Sequence, residues 1–246
     1  MSFAESGFGA HVSNTYTRRM DVFNRGFSGY NTRWAKHYLP EIFPASTKAD
    51  LFVVFFGAND ASLVDLNPRQ HVPLDEFGSN LIDMCNYLKD MCKGQILLVT
   101  PPPVDHEQRL VYQVERYGKQ EATGKLERTN CNAGKYASKC VEIGHATQIP
   151  VLDLWTAMQS ESNWASLLSD GLHLSPAGNR FVGRAMVHSI QQHYPDLAVA
   201  PNPVGGSLHN SGSASKILPL LPWHDEIDAT SYVEYQALMA VGSSKC

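Results

Sequence analysis

The chain has 246 residues, with 20 basic and 24 acidic side chains and a formal net charge of -4. This length can bury one substantial core, and a negative balance without a basic run argues against nucleic acid as a main partner. The longest strongly apolar run, Leu51–Phe56, is far shorter than the roughly 20 residues that a membrane helix needs, so no membrane partner is expected.

Four short β-rich runs alternate with longer helical patterns. They predict strands, in chain order, at Asp21–Asn24, Leu51–Phe56, Gln95–Thr100 and Ile149–Asp153. Alternation of this kind is typical of α/β proteins in which helices cover a parallel sheet. We predict one such domain over residues 1–197.

Three segments between and after these strands have helical periodicity. Apolar residues recur at steps of four and three from Phe77 to Met91, and a looser pattern extends from Leu126 to Ile143. Ser175-Pro176 offers an N-cap followed by proline at the first helical position, which predicts a helix that begins there. His173 consequently lies in the loop that enters this last helix.

The C-terminal part of the chain differs in composition from the rest. Residues 198–216 are rich in Pro, Gly, Ser and Asn, which predicts a flexible linker. The apolar segment Ile217–Trp223 follows it, and such a segment is expected to pack on other apolar surface. We therefore predict that residues 198–246 are a linker and tail that pack back on the domain or on a second subunit of a homodimer.

The cysteines and the first residues indicate the compartment. The start of the chain, Met1–Ser6, lacks the basic start and apolar middle of a secretory signal. The cysteines are odd in number and show no paired C-x-x-C spacing, which predicts reduced, structural thiols. They are Cys85, Cys92, Cys131, Cys140 and Cys246. These features favour a cytoplasmic protein.

Asp170 and His173 are three residues apart, just before the capped helix. A loop of this spacing can fold the carboxylate toward one imidazole nitrogen and leave the other free. This contact would fix the tautomer of the ring and stabilise the imidazolium that forms when His173 accepts a proton. The pattern alone also fits an ordinary surface turn.

Gly57-Ala-Asn-Asp60 directly follows an apolar predicted strand. It is therefore expected at the carboxyl edge of a parallel sheet, where open α/β folds bind ligands. The amide of Asn59 can donate a hydrogen bond to an oxyanion while it stays uncharged. The alternative is an Asn-Asp turn that ends a strand. Asp60 is interpreted as a residue that braces the loop.

Asn24–Gly29 contains two glycines and a serine after another predicted strand. This composition allows positive φ and a close approach of backbone N–H groups to a ligand. It also fits an ordinary turn between a strand and a helix.

Together these motifs resemble an SGNH (GDSL-type) ester hydrolase, and Gly26–Trp34 is similar to the branch of isoamyl acetate-hydrolysing esterases. The resemblance implies a three-layer α/β/α fold with a flavodoxin-like parallel sheet. It implies that Asp170 orients His173 and that His173 acts as base and then acid. It also implies that Asn59 and Gly29 are the oxyanion donors.

The resemblance also implies that the family's nucleophile is missing. That serine belongs to a Gly-Asp-Ser segment that would lie just before Met1, together with the first strand of the sheet. This strand would lie between the strands predicted at Asp21–Asn24 and Leu51–Phe56. The serines near the start of the chain lack the Gly-Asp-Ser setting; they are Ser2, Ser6, Ser13 and Ser28. We therefore expect a chain that folds poorly and is inactive as written.

The expected function is a serine ester hydrolase that acts on short-chain carboxylic esters, such as acetates, through an acyl-enzyme. Its partner is a small-molecule ester, and its mechanism needs no cofactor. No metal site is predicted, because His71, His106 and His145 are isolated. Two alternatives stay open: a non-catalytic binding protein that keeps the pocket, and an esterase for carbohydrate acetyl groups or lysophospholipids.

Overall fold

The computed structural model describes residues 6–121 and 127–199, and the predicted linker and tail lie outside these ranges except for their first two residues. The strands are β1 (Leu51–Phe55), β2 (Gln95–Val99) and β3 (Val151–Leu152). The α-helices are α1 (Phe8–Thr15), α2 (Thr32–His37), α3 (Leu39–Ile42), α4 (Leu74–Asp90), α5 (His106–Glu121), α6 (Asn130–Thr147), α7 (Leu154–Gln159) and α8 (Pro176–His193). Short 3₁₀ helices span Trp164–Leu167 and Pro195–Leu197.

The three strands form one parallel sheet in the order β1, β2, β3. Leu51 pairs with Gln95 at one end of the first ladder, and Leu98 pairs with Val151 in the second. Three of the four predicted strands are thus confirmed. The last is shorter than predicted because Asp153 caps α7, where its carboxylate accepts a hydrogen bond from Thr156 N at 3.2 Å.

Alternate strand residues face opposite layers of helices, as the period of a strand requires. Phe52, Val54, Ile96 and Leu98 are buried in one core with residues of α4 and α6. Leu97 and Val99 are buried in a second core with residues of α1 and α8. The predicted three-layer α/β/α architecture is confirmed.

The prediction of a strand at Asp21–Asn24 is wrong, because these residues form no ladder in the structure. A strand needs a neighbour that shares its backbone hydrogen bonds, and among the described strands β1 pairs with β2 alone. Side-chain contacts hold this segment instead. Asn24 Oδ1 accepts from Gly26 N at 3.0 Å, and Arg25 Nη1 donates to Ile42 O at 2.6 Å. Phe23 is 77% exposed.

The predicted helices form with shifted ends. In α4 the predicted apolar face is buried as far as Leu88, whereas Met91 lies just past the helix and is exposed. Thr129 caps α6, so this helix begins four residues after Leu126. Ser175 caps α8 through a bond from Gly178 N at 3.1 Å, with Pro176 at the first position, as predicted. None of the helices in the described ranges is long and apolar enough to span a membrane.

Four of the five cysteines lie in the described residues, and all four are free thiols. Three of them are buried: Cys85, Cys92 and Cys140. Burial raises the pKa of Cys85 and of Cys140 to about 12, so both stay protonated at neutral pH. Cys131 is exposed. The three buried cysteines are core residues.

Candidate active site

Asp170 and His173 form a hydrogen-bonded pair in the loop before α8. Asp170 Oδ1 accepts the backbone N–H groups of Leu172 and His173 at 3.0 and 2.7 Å, and Oδ2 lies 2.7 Å from His173 Nδ1. Since a carboxylate only accepts, Nδ1 is the donor in this contact, and in the neutral ring Nε2 then keeps its lone pair. The acid is buried, whereas the His173 side chain is 71% exposed. This pair can orient a base and leave its second nitrogen open.

Asp170 is held in its charged form. Burial by itself would raise the pKa of Asp170, but the hydrogen bonds from the backbone and ring of His173 and from Leu172 N outweigh it and hold that pKa below its usual value. Because the folded-state pKa is lowered, this carboxylate stabilises the fold above its ordinary pKa of about 3.9, and the contribution is lost as pH falls through the folded-state pKa. The partner of His173 is therefore an anion at neutral pH.

Asn59 lies in the turn after β1, and both ends of its amide are fixed. Nδ2 donates to Tyr30 O at 2.8 Å, and Oδ1 accepts from Arg128 Nη2 at 3.2 Å. The turn itself closes with Ala61 N bonded to Gly57 O at 2.9 Å. An amide nitrogen carries two hydrogens, so one N–H remains for an oxyanion.

Gly29 has the left-handed backbone that the composition of its motif allows, with φ of 80°. Its carbonyl accepts from Gln70 Nε2 at 3.0 Å. Its N–H has no hydrogen-bond partner in the described segments and lies at the exposed surface. A backbone donor is thus open to a ligand at this position.

One network joins all four predicted site residues. Arg109 Nη1 donates to Asp170 Oδ2 at 2.8 Å, and Arg128 binds Asn59 and Gln70, the partner of Gly29. Glu127 Oε1 accepts from both arginines. The predicted residues therefore share one edge of the sheet.

Sequence reasoning missed Arg109, Glu127 and Arg128. The helix α5, which carries Arg109, was not predicted at all. Glu127 and Arg128 precede a capped helix, where charged residues are usually solvated. Arg109 and its partner Asp170 are 61 positions apart in the chain, and Arg128 and its partner Asn59 are 69 apart. No local pattern in the sequence therefore indicates these contacts.

The histidine ring has no serine partner in the described ranges. Ser169 Oγ lies close by but donates to the backbone oxygen of His173 at 3.1 Å. Ser175 Oγ donates to Ser166 O at 2.8 Å. In the same ranges, no three His, Cys, Asp or Glu side chains cluster as a metal site would need.

Comparison with known proteins identifies the family. The sequence model of the GDSL-like lipase/acylhydrolase family matches residues 3–181. The chain belongs to the GDSL-like lipase/acylhydrolase family. This confirms the predicted class, a carboxylic ester hydrolase, and the predicted SGNH resemblance.

Individual relatives agree with the family match. Isoamyl acetate-hydrolyzing esterase 1 homolog of Homo sapiens is 43% identical over 189 residues, which is 74% of this chain and 73% of that protein. Isoamyl acetate-hydrolyzing esterase of Saccharomyces cerevisiae is 34% identical over 189 residues, 76% of each chain. The crystal structure of the lipase/acylhydrolase from Enterococcus faecalis has a TM-score of 0.61 and 26% identity, covering 77% of this chain and 87% of that chain. The similarity to the isoamyl acetate-hydrolysing branch is thus confirmed.

Gly171 lets the Asp170 loop of this GDSL-family chain approach α5. Its φ is 78°, and a Cβ there would lie 2.2 Å from Asp105 O and 2.4 Å from Arg109 N. Gly171→Ala is therefore expected to lower the free energy of unfolding by about 1–3 kcal/mol, measured by urea denaturation. The control is Gly26→Ala, where the nearest atom is Asn24 Oδ1 at 3.3 Å. Equal losses in the two variants would contradict this account.

Asp60 braces the Asn59 turn against α2. It is fully buried, its Oδ1 accepts from Thr32 N at 2.9 Å and from Thr32 Oγ1, and its Oδ2 has no partner in the described residues. Burial raises the pKa of Asp60, and the Thr32 hydrogen bonds offset part of that rise. Because the folded-state pKa is raised, this group's contribution to stability falls as pH rises above about 3.9.

Thr32→Val removes a donor that favours the charged form of Asp60. We expect a loss in the free energy of unfolding of about 1–3 kcal/mol at pH 7 and a smaller loss at pH 4, because the raised pKa of Asp60 keeps more of its carboxyl protonated in the folded chain at the lower pH. Urea denaturation at the two pH values measures both. Thr17→Val is the control, because the Thr17 hydroxyl is exposed and bonds Ser13 O at 3.1 Å. A loss that does not depend on pH would argue against a charged Asp60.

Proposed function

We propose that this site cleaves short-chain carboxylic esters, of acetate type, as a serine ester hydrolase that forms an acyl-enzyme. The observation that carries the proposal is the pairing of a buried Asp170 with the exposed ring of His173, on the same network as the Asn59 amide. Acyl transfer needs a base, a group that orients it, and a donor for the oxyanion. These three side chains supply them.

The reaction begins when His173 Nε2 takes the proton of a serine hydroxyl as that oxygen bonds to the ester carbonyl carbon. The carbonyl oxygen becomes an oxyanion, which accepts hydrogen bonds from the free N–H of Asn59 and from the Gly29 N–H. The imidazolium gives its proton to the departing alcohol as the ester C–O bond breaks. Water then attacks the acyl-enzyme in the same way, releasing the acid and restoring the serine.

Aromatic rings beside Gly29 favour a small apolar alcohol. The rings of Phe27 and Tyr30 stack at 5.0 Å, and those of Tyr30 and Tyr38 are 6.4 Å apart. Phe27 and Tyr38 are exposed, so this surface is open to a ligand. Ligand sites are mostly apolar with a few placed polar groups. The yeast relative is named an isoamyl acetate-hydrolyzing esterase and the human relative a homolog of such an enzyme, and these names support the same substrate class.

The nucleophile in this proposal is the serine of a Gly-Asp-Ser segment, as the family resemblance implies. It is supported by the free Nε2 of His173, to which no serine of the described ranges donates. Residues 1–246 alone are then inactive, although they hold the base and the oxyanion donors.

The test compares residues 1–246 with the same chain preceded by the Gly-Asp-Ser segment of a family member, called here the extended protein. The extended protein is expected to hydrolyse p-nitrophenyl acetate, with rates that fall as the acyl chain lengthens, whereas residues 1–246 match buffer. Changing the serine of that segment to alanine is the control. Equal rates with and without the segment would overturn the assigned nucleophile. Ester binding without turnover by the extended protein would favour the non-catalytic alternative.

A further inference from the structure

Three charged side chains connect the two halves of the site, and we call Arg109, Glu127 and Arg128 the charged bridge. Arg109 Nη2 lies 3.2 Å from Glu127 Oε1, and Arg128 Nη1 donates to the same oxygen. At one end Arg109 binds Asp170, and at the other end Arg128 binds Asn59. The charged bridge is continuous from the acid of the Asp-His pair to the amide of the turn after β1.

The burial of the charged bridge argues against a purely stabilising role. Arg109 and Arg128 are 8% and 4% exposed. Buried ion pairs are often no more stabilising than apolar side chains of similar size, because desolvation offsets the attraction between the charges. The exposed pair Arg33–Glu76, at 2.6 Å, lies outside the charged bridge and provides a contrast. Buried charged side chains that bind two residues of the site are better explained by the positions in which they hold those two residues.

Arg109 fixes the carboxylate that orients His173. Its Nη1 donates to Asp170 Oδ2 at 2.8 Å, and that oxygen also faces His173 Nδ1 at 2.7 Å. A guanidinium carries a fixed positive charge, and here that charge lies directly beside the Asp170 carboxylate. Its positive charge also weakens the attraction of Asp170 for an imidazolium. Arg109 therefore acts on the base through charge.

Arg128 fixes which way the Asn59 amide points. Its Nη2 donates to Asn59 Oδ1 at 3.2 Å, and its Nε donates to Ala58 O at 3.1 Å. A flipped amide would turn its NH₂ group toward the guanidinium. The planar group of Arg128 also reaches Gln70 and Glu127, which a lysine ammonium on one stem cannot match. Arg128 therefore acts on the oxyanion donor through geometry.

We propose that Arg109, Glu127 and Arg128 are positioning residues that hold the base pair and the oxyanion amide in one fixed arrangement. The two arginines have different tasks: Arg109 sets the charge beside Asp170, and Arg128 sets the orientation of Asn59. This proposal rests on the proposed function of the site and deepens it.

Arg128→Lys tests the geometric half and keeps the positive charge. In ¹⁵N spectra of the extended protein, the Asn59 side-chain amide signals, assigned by their loss in Asn59→Asp, are expected to shift and broaden. In the extended protein, kcat for p-nitrophenyl acetate is expected to fall by about 10–100-fold with KM little changed. Arg33→Lys is the matched control, and a response equal to that control in both measurements would overturn this half.

Arg109→Gln tests the charge half. Without the cation, Asp170 favours the imidazolium more strongly. In the pH profile of kcat/KM of the extended protein, the acid limb is therefore expected to shift to higher pH by about one unit. Arg109→Lys keeps the charge and is expected to restore the limb. A limb that stays in place in Arg109→Gln, or one that Lys fails to restore, would overturn this half.

The two proposals fail in different ways. If the extended wild-type protein does not hydrolyse the ester, the proposed function fails, while the amide spectra of Arg128→Lys still decide whether the charged bridge positions Asn59. If the extended wild-type protein hydrolyses the ester normally and the Asn59 amide signals do not change in Arg128→Lys, the positioning role is wrong and the proposed function stands.

Discussion

His173→Ala in the extended protein is expected to lower kcat for p-nitrophenyl acetate by about four orders of magnitude or more. The ring is the proton acceptor of the proposed reaction, and Asp170 Oδ2 at 2.7 Å from Nδ1 leaves Nε2 as its basic nitrogen. Without the ring, the serine hydroxyl has no base and the departing alkoxide has no acid. The oxyanion donors remain, so a small residual rate above buffer is expected. Stopped-flow and steady-state release of nitrophenolate measure both values.

His188→Ala is the matched control for this variant. His188 is an exposed histidine of α8 and forms no part of the network. Its rate is expected to equal that of the unchanged extended protein. Retention of more than about a tenth of kcat in His173→Ala would rule out His173 as the base, since general acid–base catalysis by a positioned side chain contributes about 10²–10⁴-fold.

Asn59→Asp in the extended protein is expected to lower kcat by at least about 10²–10³-fold. An aspartate at this position can still accept from Arg128, whose Nη2 lies 3.2 Å from the present Oδ1. This aspartate cannot donate a hydrogen bond to the oxyanion, and its negative charge repels the oxyanion. The variant therefore removes the proposed oxyanion donor and keeps the contact with the charged bridge. KM is expected to change little, because the donor acts on charge that develops in the transition state.

Asn14→Asp controls for the added negative charge, since Asn14 is exposed on α1. Near-normal kcat is expected for it. An Asn59→Asp variant that matched this control would remove Asn59 from the oxyanion site and leave Gly29 N–H as the proposed donor. Circular dichroism of each variant checks that the fold is kept.

The parts of the molecule that follow from local sequence could be predicted. The strands β1 and β2 lie in apolar runs of the length typical of strands, and Ser175 caps α8 within a few residues. Asp170 and His173 meet inside one tight loop, so their spacing allowed the contact and the neighbouring motifs favoured it. Such features depend on short-range geometry, which a single sequence states directly.

The features that depend on distant partners could not be predicted. Asp21–Asn24 has β propensity, but propensity forms no strand without a neighbouring strand to bond it. Arg109 lies in a helix with an unremarkable polar pattern, and its site partner is 61 positions away. Nothing near either arginine in the sequence distinguishes a buried ion from a solvated one. Long-range pairing is information that only the folded chain supplies.

The sequence distances across the charged bridge bear on how the protein is made. Arg128 emerges from the ribosome well after Asn59, and Asp170 emerges later still. A growing chain that ends near Glu127 therefore has the Asn59 amide without its guanidinium partner, and it lacks Asp170. The charged bridge can join the two halves of the proposed site only after synthesis has passed Asp170.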